Sequence, residues 1–231
     1  MEPQRTMVIT GASSGIGAAT ARMAASQGWS LVLAARSRDR LDSLVSEIGD
    51  DQAIAVSCDV NEWDDQQALA ASAIERFGSI DAVFANAGFG GPGGFTGSTP
   101  ETWRDMVLTN VYGAALTVRA TLDHLKDSKG HLLLTGSVAG RKAIPGSLYS
   151  CTKWAVTAMG EAVRGEIAGS GVRVTLIEPG IVATPFWDDG KGPLDEPLQE
   201  DDVARAVLWA LDQPPHVDIN EILMRPSAQG A

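Results

Sequence analysis

The sequence predicts an α/β fold, in which helices cover both faces of a mainly parallel sheet of about seven strands. Short apolar runs alternate with longer stretches of helical periodicity along the chain of 231 residues. Strands joined through helices run parallel, because each crossover returns the chain to the same edge of the sheet. A chain of this length forms one substantial domain, and we therefore expect a single domain over residues 1–231.

Glycine, proline and capping residues set the limits of the predicted elements. Gly28 and Gly78 end two helices, because glycine adopts the backbone conformation that stops a helix. Thr99 caps the longest helix, and Pro100 occupies its first position. The predicted strands are Thr6–Thr10, Ser30–Ala35, Ala53–Ser57, Asp81–Ala85, His131–Thr135, Val172–Ile177 and Glu221–Met224. The predicted helices are Ile16–Gln27, Asp39–Ile48, Glu62–Phe77, Pro100–Leu125, Tyr149–Ala168 and Asp201–Leu211.

Composition and charge argue against several classes of function. The net charge is −11 and no basic stripe is visible, so nucleic-acid binding is not expected. No apolar run of about 18 residues indicates a membrane span, and no signal peptide is visible at the start. Cys58 and Cys151 lie far apart and are expected to be buried thiols in a cytoplasmic protein. His124, His131 and His216 show no ligand spacing with either cysteine, so no metal site is expected.

A glycine-rich turn carries the first chemical signal. Residues 10–17 follow the first strand and open the first helix. Gly11 allows a tight turn, Gly15 lets the backbone approach a pyrophosphate, and Gly17 lets helix and strand pack closely. The alternative is a purely structural turn, but a strand, turn and helix in this order favour a dinucleotide-binding Rossmann fold. The residues of the turn predicted to contact the dinucleotide are Gly11, Ser13, Ser14, Gly15, Ile16 and Gly17.

The end of the second strand indicates which dinucleotide is bound. An acidic residue about 20 positions after the glycine turn binds the ribose 2′-hydroxyl of NAD, whereas a nearby arginine accommodates the 2′-phosphate of NADP. Ala35 stands where the acid is expected, and Arg36 follows it. A guanidinium fits a phosphate with two hydrogen bonds, so NADP is favoured over NAD. The alternative is that Arg36 is a solvated surface residue, as is expected of Arg38 and Arg40.

Three side chains suited to proton transfer form the second signal. Tyr149 and Lys153 are four residues apart in a predicted helix and therefore share a face. A nearby ammonium lowers the pKa of a phenol, which brings that pKa closer to working pH. Ser137 follows the fifth strand at the carboxyl edge of the sheet, where its hydroxyl is placed to bond a substrate oxygen. A tyrosine and a lysine alone also share helix faces without any function.

With these motifs the chain resembles the short-chain dehydrogenase/reductase family, in its short single-domain branch. The glycine turn has the family's spacing and follows Thr10, and the catalytic positions Asn110, Ser137, Tyr149 and Lys153 all match. The resemblance implies that Asn110 helps hold a water that connects the lysine to solvent. Further positions that the resemblance assigns to the cofactor are Asp59 and Val60 (adenine), Asn86, Ala87 and Gly88 (flanking the cofactor), Tyr149 and Lys153, and Pro179, Gly180, Val182 and Thr184 (nicotinamide).

The resemblance implies an NADP-dependent oxidoreductase. Hydride passes between nicotinamide and a carbonyl or alcohol carbon, Tyr149 exchanges the proton, Ser137 positions the oxygen, and Lys153 contacts the ribose. Two other functions remain open: a non-catalytic sensor that binds NADP(H), and a reductase of 3-ketoacyl thioesters. A sugar epimerase or dehydratase of the extended branch is disfavoured, because those chains carry a larger carboxy-terminal domain.

The substrate is less well defined than the cofactor. Residues 213–223 resemble the branch that oxidises 3-hydroxy acids and serine, so a small hydroxy acid is one candidate. A short substrate lid is expected around residues 184–200. Residues 88–97 contain six glycines and form either a plain loop or the rim of the active site. Either an apolar pocket or ordinary core packing explains the side chains of Phe89, Phe95, Ile144, Phe186 and Trp187.

Two further features concern charge and assembly. Arg141 and Lys142 follow Ser137 and are placed to meet a substrate carboxylate, although surface charges are the favoured interpretation. The long helices from Pro100 and from Tyr149 carry apolar residues beyond one stripe. The family pairs these helices across a twofold axis, so a homodimer or homotetramer is expected.

Overall fold

The predicted doubly wound α/β fold is confirmed by a computed structural model, which describes residues 5–91, 94–187, 190 and 192–230. Seven strands of this part of the chain form one parallel sheet in the order β3-β2-β1-β4-β5-β6-β7. The strands are β1 (Thr6–Thr10), β2 (Ser30–Ala35), β3 (Ala53–Ser57), β4 (Ala82–Ala85), β5 (His131–Thr135), β6 (Arg173–Pro179) and β7 (Glu221–Met224).

Helices cover both faces of the sheet. The strands are short β-branched and aliphatic runs, and alternate residues of β1 face opposite sides. Met7 and Ile9 belong to the core that includes α1 and α7, whereas Val8 belongs to the core that includes α3, α5 and α6. The α-helices are α1 (Gly15–Ser26), α2 (Arg38–Ile48), α3 (Trp63–Phe77), α4 (Pro100–Val107), α5 (Ala114–Ser128), α6 (Leu148–Glu166) and α7 (Glu200–Leu211).

The strand order creates a crevice at the carboxyl ends of the strands. β1 pairs with β2 on one side and with β4 on the other, so the direction of winding reverses between β1 and β4. Ligands of doubly wound sheets bind at this switch point. The loops after β1, β4, β5 and β6 therefore meet above one edge of the sheet.

The predicted long helix from Pro100 to Leu125 is continuous but not uniformly α-helical. A π-helical segment, Leu108–Gly113, separates α4 from α5. Apolar periodicity does not reveal such a segment, because the extra residue per turn is set by contacts distant in sequence. The segment carries Asn110, which is only 2% exposed and is bonded across to another loop. The other predicted helices and strands have boundaries within two residues of those observed.

Two further observations concern the surface. Cys58 is buried as expected, but Cys151 is exposed, because it lies on the face of α6 that points away from the core. None of the helices in the described ranges is long and apolar enough to cross a membrane.

Candidate active site

A cavity of about 680 Å³ lies at the carboxyl edge of the sheet, which is an ordinary size for a cofactor and substrate site. The predicted catalytic residues Ser137, Tyr149 and Lys153 line it together with the glycine turn. Gly17 and Asn110 do not line it. The other predicted cofactor residues that line it are Gly11, Ser13, Ser14, Gly15, Ile16, Arg36, Asp59, Val60, Asn86, Ala87, Gly88, Pro179, Gly180, Val182 and Thr184.

The glycine turn is packed so closely that side chains have no room at two of its positions. Gly11 has φ +66°, and a Cβ there would lie 2.9 Å from Ala87 Cα. A Cβ on Gly17 would lie 2.4 Å from the Gly11 carbonyl oxygen. Gly17 thus acts by letting α1 approach β1. The first turn of α1 has no acidic residue and no side-chain cap, so its N–H groups are available to an anion.

Asn86 forms hydrogen bonds that link the strand ends beneath the crevice. Its Nδ2 donates to the Thr10 carbonyl at 3.1 Å, and its Oδ1 accepts from the Thr135 hydroxyl at 3.1 Å. Its backbone N–H and that of Ala87 both donate to the Thr10 hydroxyl. These bonds join the ends of β1, β4 and β5, so the loops that border the crevice are held at fixed distances.

Arg36 follows β2 at the carboxyl edge of the sheet. It is exposed and lines the cavity, and it forms no ion pair with any described residue. Its neighbour Arg38, by contrast, is bound to Asp42, with Nε 2.8 Å from the carboxylate. Arg36 therefore keeps its guanidinium available for a ligand.

Ser137, Tyr149 and Lys153 meet at the centre of the cavity. Ser137 is 6% exposed, and its hydroxyl accepts from the backbone N–H of Ala139 at 3.1 Å. A hydrogen bond also joins the Ser137 and Tyr149 side chains. The Lys153 ammonium lies 5.6 Å from the centre of the Tyr149 ring and donates to the Thr135 carbonyl at 2.7 Å. One phenol, one hydroxyl and one ammonium thus converge on a single region.

Our expectation that Lys153 lowers the pKa of Tyr149 is wrong for this structure. Burial raises the pKa of Tyr149 to about 12, and the Ser137 hydrogen bond only partly opposes that effect. The ammonium lies beside the ring and bonds to Thr135, not to the phenol oxygen. Burial also lowers the pKa of Lys153 to about 8. Tyr149 is therefore protonated at neutral pH and is suited to donate a proton.

The Asn110 side chain is fully engaged by protein groups. Its Oδ1 accepts from the Phe89 N–H at 3.0 Å, and its Nδ2 donates to the Phe89 carbonyl at 2.9 Å and to the Thr152 hydroxyl at 3.1 Å. Gly88 lies between Asn110 and Lys153, since a Cβ there would be 3.0 Å from Asn110 Oδ1 and 3.6 Å from Lys153 Nζ. Asn110 therefore fixes the loop after β4 against α6.

A buried ion pair lies beside the loop that carries Ser137, and the sequence did not predict it. Glu178 is fully buried and accepts from Arg141 Nε at 2.8 and 2.9 Å and from the Thr157 hydroxyl at 3.3 Å. Arg141 also pairs with Glu221 on β7. Arg141 is thus neither a plain surface charge nor a ligand for substrate. The available signal was the carboxylate of Glu178 between an apolar strand and Pro179, since buried charges require partners.

Aromatic side chains form the far end of the cavity. Phe186 packs edge-on against Tyr149, with ring centres 5.5 Å apart, and against Trp187 at 5.2 Å. Phe89 and Ile144 also line the cavity. Phe95 does not: it is 58% exposed and packs against Trp103 instead. Of the glycine-rich loop, residues 88–91 line the cavity, while residues 92 and 93 lie outside the described residues.

Comparison with known proteins identifies the family. A family model described as short chain dehydrogenase matches residues 5–191. The chain belongs to this family. As a short-chain dehydrogenase it is an oxidoreductase. Ser137, Tyr149, Lys153 and most of the glycine turn line one cavity.

The relatives of this short-chain dehydrogenase match it over nearly its whole length. An uncharacterized oxidoreductase of Staphylococcus saprophyticus is 36% identical, covering 97% of each chain. An alcohol dehydrogenase from the archaeon Thermococcus sibiricus, complexed with 5-hydroxy-NADP, is 33% identical with a TM-score of 0.91, covering 99% of each chain. The closed form of a serine dehydrogenase complexed with NADP⁺ is 31% identical with a TM-score of 0.91, covering 98% of this chain and 96% of that one.

Proposed function

We propose that this short-chain dehydrogenase uses NADP to transfer a hydride to or from the carbonyl or secondary alcohol carbon of a small substrate. One observation carries the proposal: Ser137, Tyr149 and Lys153 converge in the same cavity that the glycine turn borders. A non-catalytic NADP(H) sensor has no need of this convergence. The bound dinucleotide supplies or accepts the hydride, and the protein supplies orientation and proton transfer.

The crevice fits a dinucleotide. The glycine turn lines the cavity through residues 11 and 13–16, and the N-terminus of α1 offers free N–H groups to a pyrophosphate. Asp59 and Val60 line the end of the cavity that we assign to adenine, and Val182 and Thr184 line the nicotinamide end. We assign to Lys153 the contact with the ribose. Pro179 and Gly180 line the nicotinamide end of the cavity.

Protein side chains transfer the proton and hold the substrate oxygen. In carbonyl reduction, the Tyr149 hydroxyl donates its proton to the substrate oxygen as the carbon gains the hydride. Ser137 bonds the same oxygen and holds it beside the phenol. In alcohol oxidation, the phenolate of Tyr149 accepts the hydroxyl proton as the carbon loses the hydride. The high pKa of Tyr149 favours reduction at neutral pH, because the phenol is then protonated.

Arg36 supports NADP over NAD. It lines the adenosine end and is free of ion pairs with the described residues, and no carboxylate side chain stands at position 35. Both solved neighbours described above carry an NADP-type ligand in their names. A guanidinium that is not neutralised by the protein is suited to a 2′-phosphate.

Two substrate classes compete for the site. A small hydroxy acid is supported by the resemblance of residues 213–223 and by the serine dehydrogenase among the structural neighbours. An uncharged carbonyl compound is supported by the apolar lining contributed by Phe89, Ile144, Phe186 and Trp187. A 3-ketoacyl thioester belongs chemically to the second class. We assign residues 184–200 to a lid over this end; residues 188, 189 and 191 of it lie outside the described residues.

We further propose a homodimer or homotetramer in the cytoplasm. Val107, Tyr112 and Trp154 are large apolar residues that are 40–47% exposed on the helices expected to pair across a twofold axis. The exposed free thiol of Cys151 fits a reducing compartment. Gel filtration at micromolar concentration tests the assembly, and a clean monomer would contradict it.

The test of the function is NADPH oxidation with a panel of ketones, aldehydes and keto acids, and NADP⁺ reduction with the matching alcohols. Turnover with any member supports the proposal. Tight NADPH binding without turnover of any substrate would instead support the sensor. Absence of both binding and turnover in folded protein would contradict either function.

A further inference from the structure

The polar side chains at the substrate end of the cavity are neutral, and each takes part in a hydrogen bond within the protein. The Trp187 Nε1–H donates to the Val182 carbonyl at 3.0 Å, so the indole presents only its ring. The Thr184 hydroxyl accepts from the Phe186 N–H at 3.2 Å. The Ser147 hydroxyl caps α6 by accepting from the Ser150 N–H at 3.1 Å. The indole N–H is thus occupied, whereas the two hydroxyls accept in these bonds and keep their O–H groups to donate, so this end offers neutral hydrogen-bond donors.

Positive charge is also scarce at this end. Among the described residues, Arg36 and Lys153 are the cationic side chains that line the cavity. Arg36 follows β2, three strand spacings (about 14 Å) from β5, which precedes Ser137. Lys153 is 4% exposed, and its ammonium already donates to the Thr135 carbonyl at 2.7 Å. Neither cation is placed to neutralise a carboxylate beyond the reacting carbon.

Arg141 and Lys142 were both candidates to meet a substrate carboxylate, but neither lines the cavity. Arg141 faces Glu178 and Glu221 instead. Two carboxylates of the protein therefore already occupy the guanidinium. A substrate anion would have to compete with Glu178, which is itself fully buried and depends on Arg141 for neutralisation.

Phe186 closes the apolar end over the catalytic tyrosine. Its ring lies edge-on to Tyr149 and spans the cavity as far as Gly90, where a Cβ would come within 2.4 Å of Phe186 Cζ. A substrate oxygen bound to Tyr149 and Ser137 therefore places its substituents against Phe186, Ile144 and Phe89. Phe186 and Ile144 are 43% and 45% exposed, so an anionic substituent there stays partly hydrated but meets no cation among the described lining residues. An apolar substituent gains contacts with these side chains.

We propose that this site selects an uncharged, largely apolar ketone or aldehyde, or the corresponding alcohol, and discriminates against hydroxy acids and keto acids. The proposal rests on the function proposed above. According to this proposal, the chain and its serine dehydrogenase neighbour share a fold but prefer substrates of different charge. Selectivity comes from the lack of a counter-ion among the described lining residues, because a carboxylate that loses part of its hydration without gaining a cation is disfavoured.

The test compares matched substrates that differ in one charge. NADPH oxidation is measured with acetoacetate against methyl acetoacetate, and with benzoylformate against methyl benzoylformate. We expect kcat/KM for each ester to exceed that for its acid by more than about tenfold, because the carboxylate loses part of its hydration without gaining a cation. A keto acid used as well as its ester, within about tenfold, would overturn the proposal. Failure of all four compounds and of the wider panel would instead count against the proposed function.

A charge added at the apolar end provides the complementary measurement. Ile144→Arg should raise kcat/KM for acetoacetate relative to methyl acetoacetate by about tenfold, because it supplies the missing cation. Ile144→Gln is the matched control, since it adds a polar side chain without charge and should leave the ratio near that of the wild type. An equal shift in both variants would contradict the assignment to charge. If Ile144→Arg fails to fold, the wild-type comparison of acid and ester decides.

Discussion

The two halves of the cavity differ in whether backbone or side chains form their walls. The dinucleotide half is formed mainly by backbone, and side chains are excluded at Gly11 and Gly17 because other backbone atoms lie within 3 Å of where a Cβ would stand. The substrate half is formed by large side chains, with Phe186 packed on Tyr149 and Trp187. Backbone walls suit a cofactor that is always the same, whereas side-chain walls change with few substitutions. Changes in one half should therefore leave the other half nearly intact.

We expect the largest effect when the proton donor of the substrate half is removed. Tyr149→Phe should reduce kcat about 10²–10⁴-fold, because the proton donor of the proposed reaction is lost. The affinity for NADPH should change by less than about threefold, since the glycine turn and Arg36 carry most of the proposed contacts with the dinucleotide. Steady-state kinetics and NADPH fluorescence titration measure the two effects. A variant with wild-type kcat would remove Tyr149 from the reaction.

The second effect concerns the ion pair that supports the substrate half. Arg141→Leu should lower the free energy of unfolding by about 3–5 kcal/mol, because Glu178 is left buried without its cation. Burial already raises the pKa of Glu178. Loss of Arg141 raises it further, so the folded state favours the protonated carboxyl more than the unfolded state does. The deficit should therefore be small at low pH and grow as the pH rises through the folded pKa.

Urea denaturation of the wild type and Arg141→Leu at several pH values measures this deficit. Glu178→Gln combined with Arg141→Leu is the control, because it removes the buried charge as well as its partner. The double variant should recover stability and lose the pH dependence of the deficit. A deficit of the same size at all pH values would show that packing, not charge, is responsible.

The cofactor half has its own charge test. Arg36→Asp should weaken NADPH binding about 10–100-fold and improve NADH binding relative to it, because a charge-assisted bond to the 2′-phosphate is replaced by repulsion. Arg38→Asp is the control, since Arg38 is bound to Asp42. Unchanged NADPH affinity in Arg36→Asp would show that another group holds the phosphate. Equal effects of both variants would indicate that the general electrostatic potential of the surface, and not a specific contact with Arg36, is responsible.

Close packing of the cofactor half predicts a smaller effect. Gly17→Ala should lower the free energy of unfolding by about 1–3 kcal/mol, because the new methyl group meets the Gly11 carbonyl. Gly165→Ala in α6 is the control, since a Cβ there meets no atom within 4 Å. The control should be neutral or slightly stabilising, because alanine favours helix over glycine. Thermal unfolding of both variants, with NADPH titration, tests whether the turn tolerates a side chain.

The same contrast explains what sequence could predict. The glycine turn, the four-residue spacing of Tyr149 and Lys153 and the alternation of strands and helices are local patterns, and the fold follows from them. The pairing of Arg141 with Glu178 joins parts of the chain 37 residues apart, and no local pattern indicates it. The π-helical segment at Leu108–Gly113 carries Asn110, which bonds Thr152, 42 residues away. Phe95 and Phe186 look alike in the sequence, but Phe186 lines the cavity and Phe95 does not.

The pH dependence of the reaction rate and of the NADPH affinity gives the last test of the difference between the two halves. Because burial raises the pKa of Tyr149 to about 12, the phenolate needed for alcohol oxidation is scarce at neutral pH. The rate of oxidation should therefore rise by about tenfold for each pH unit where this deprotonation limits the rate, while carbonyl reduction stays nearly flat. The affinity for NADPH should change little over the same range, since Tyr149 belongs to the substrate half. A plateau of the oxidation rate near neutral pH would show that bound ligands lower the pKa of Tyr149 by bringing Lys153 closer to its oxygen.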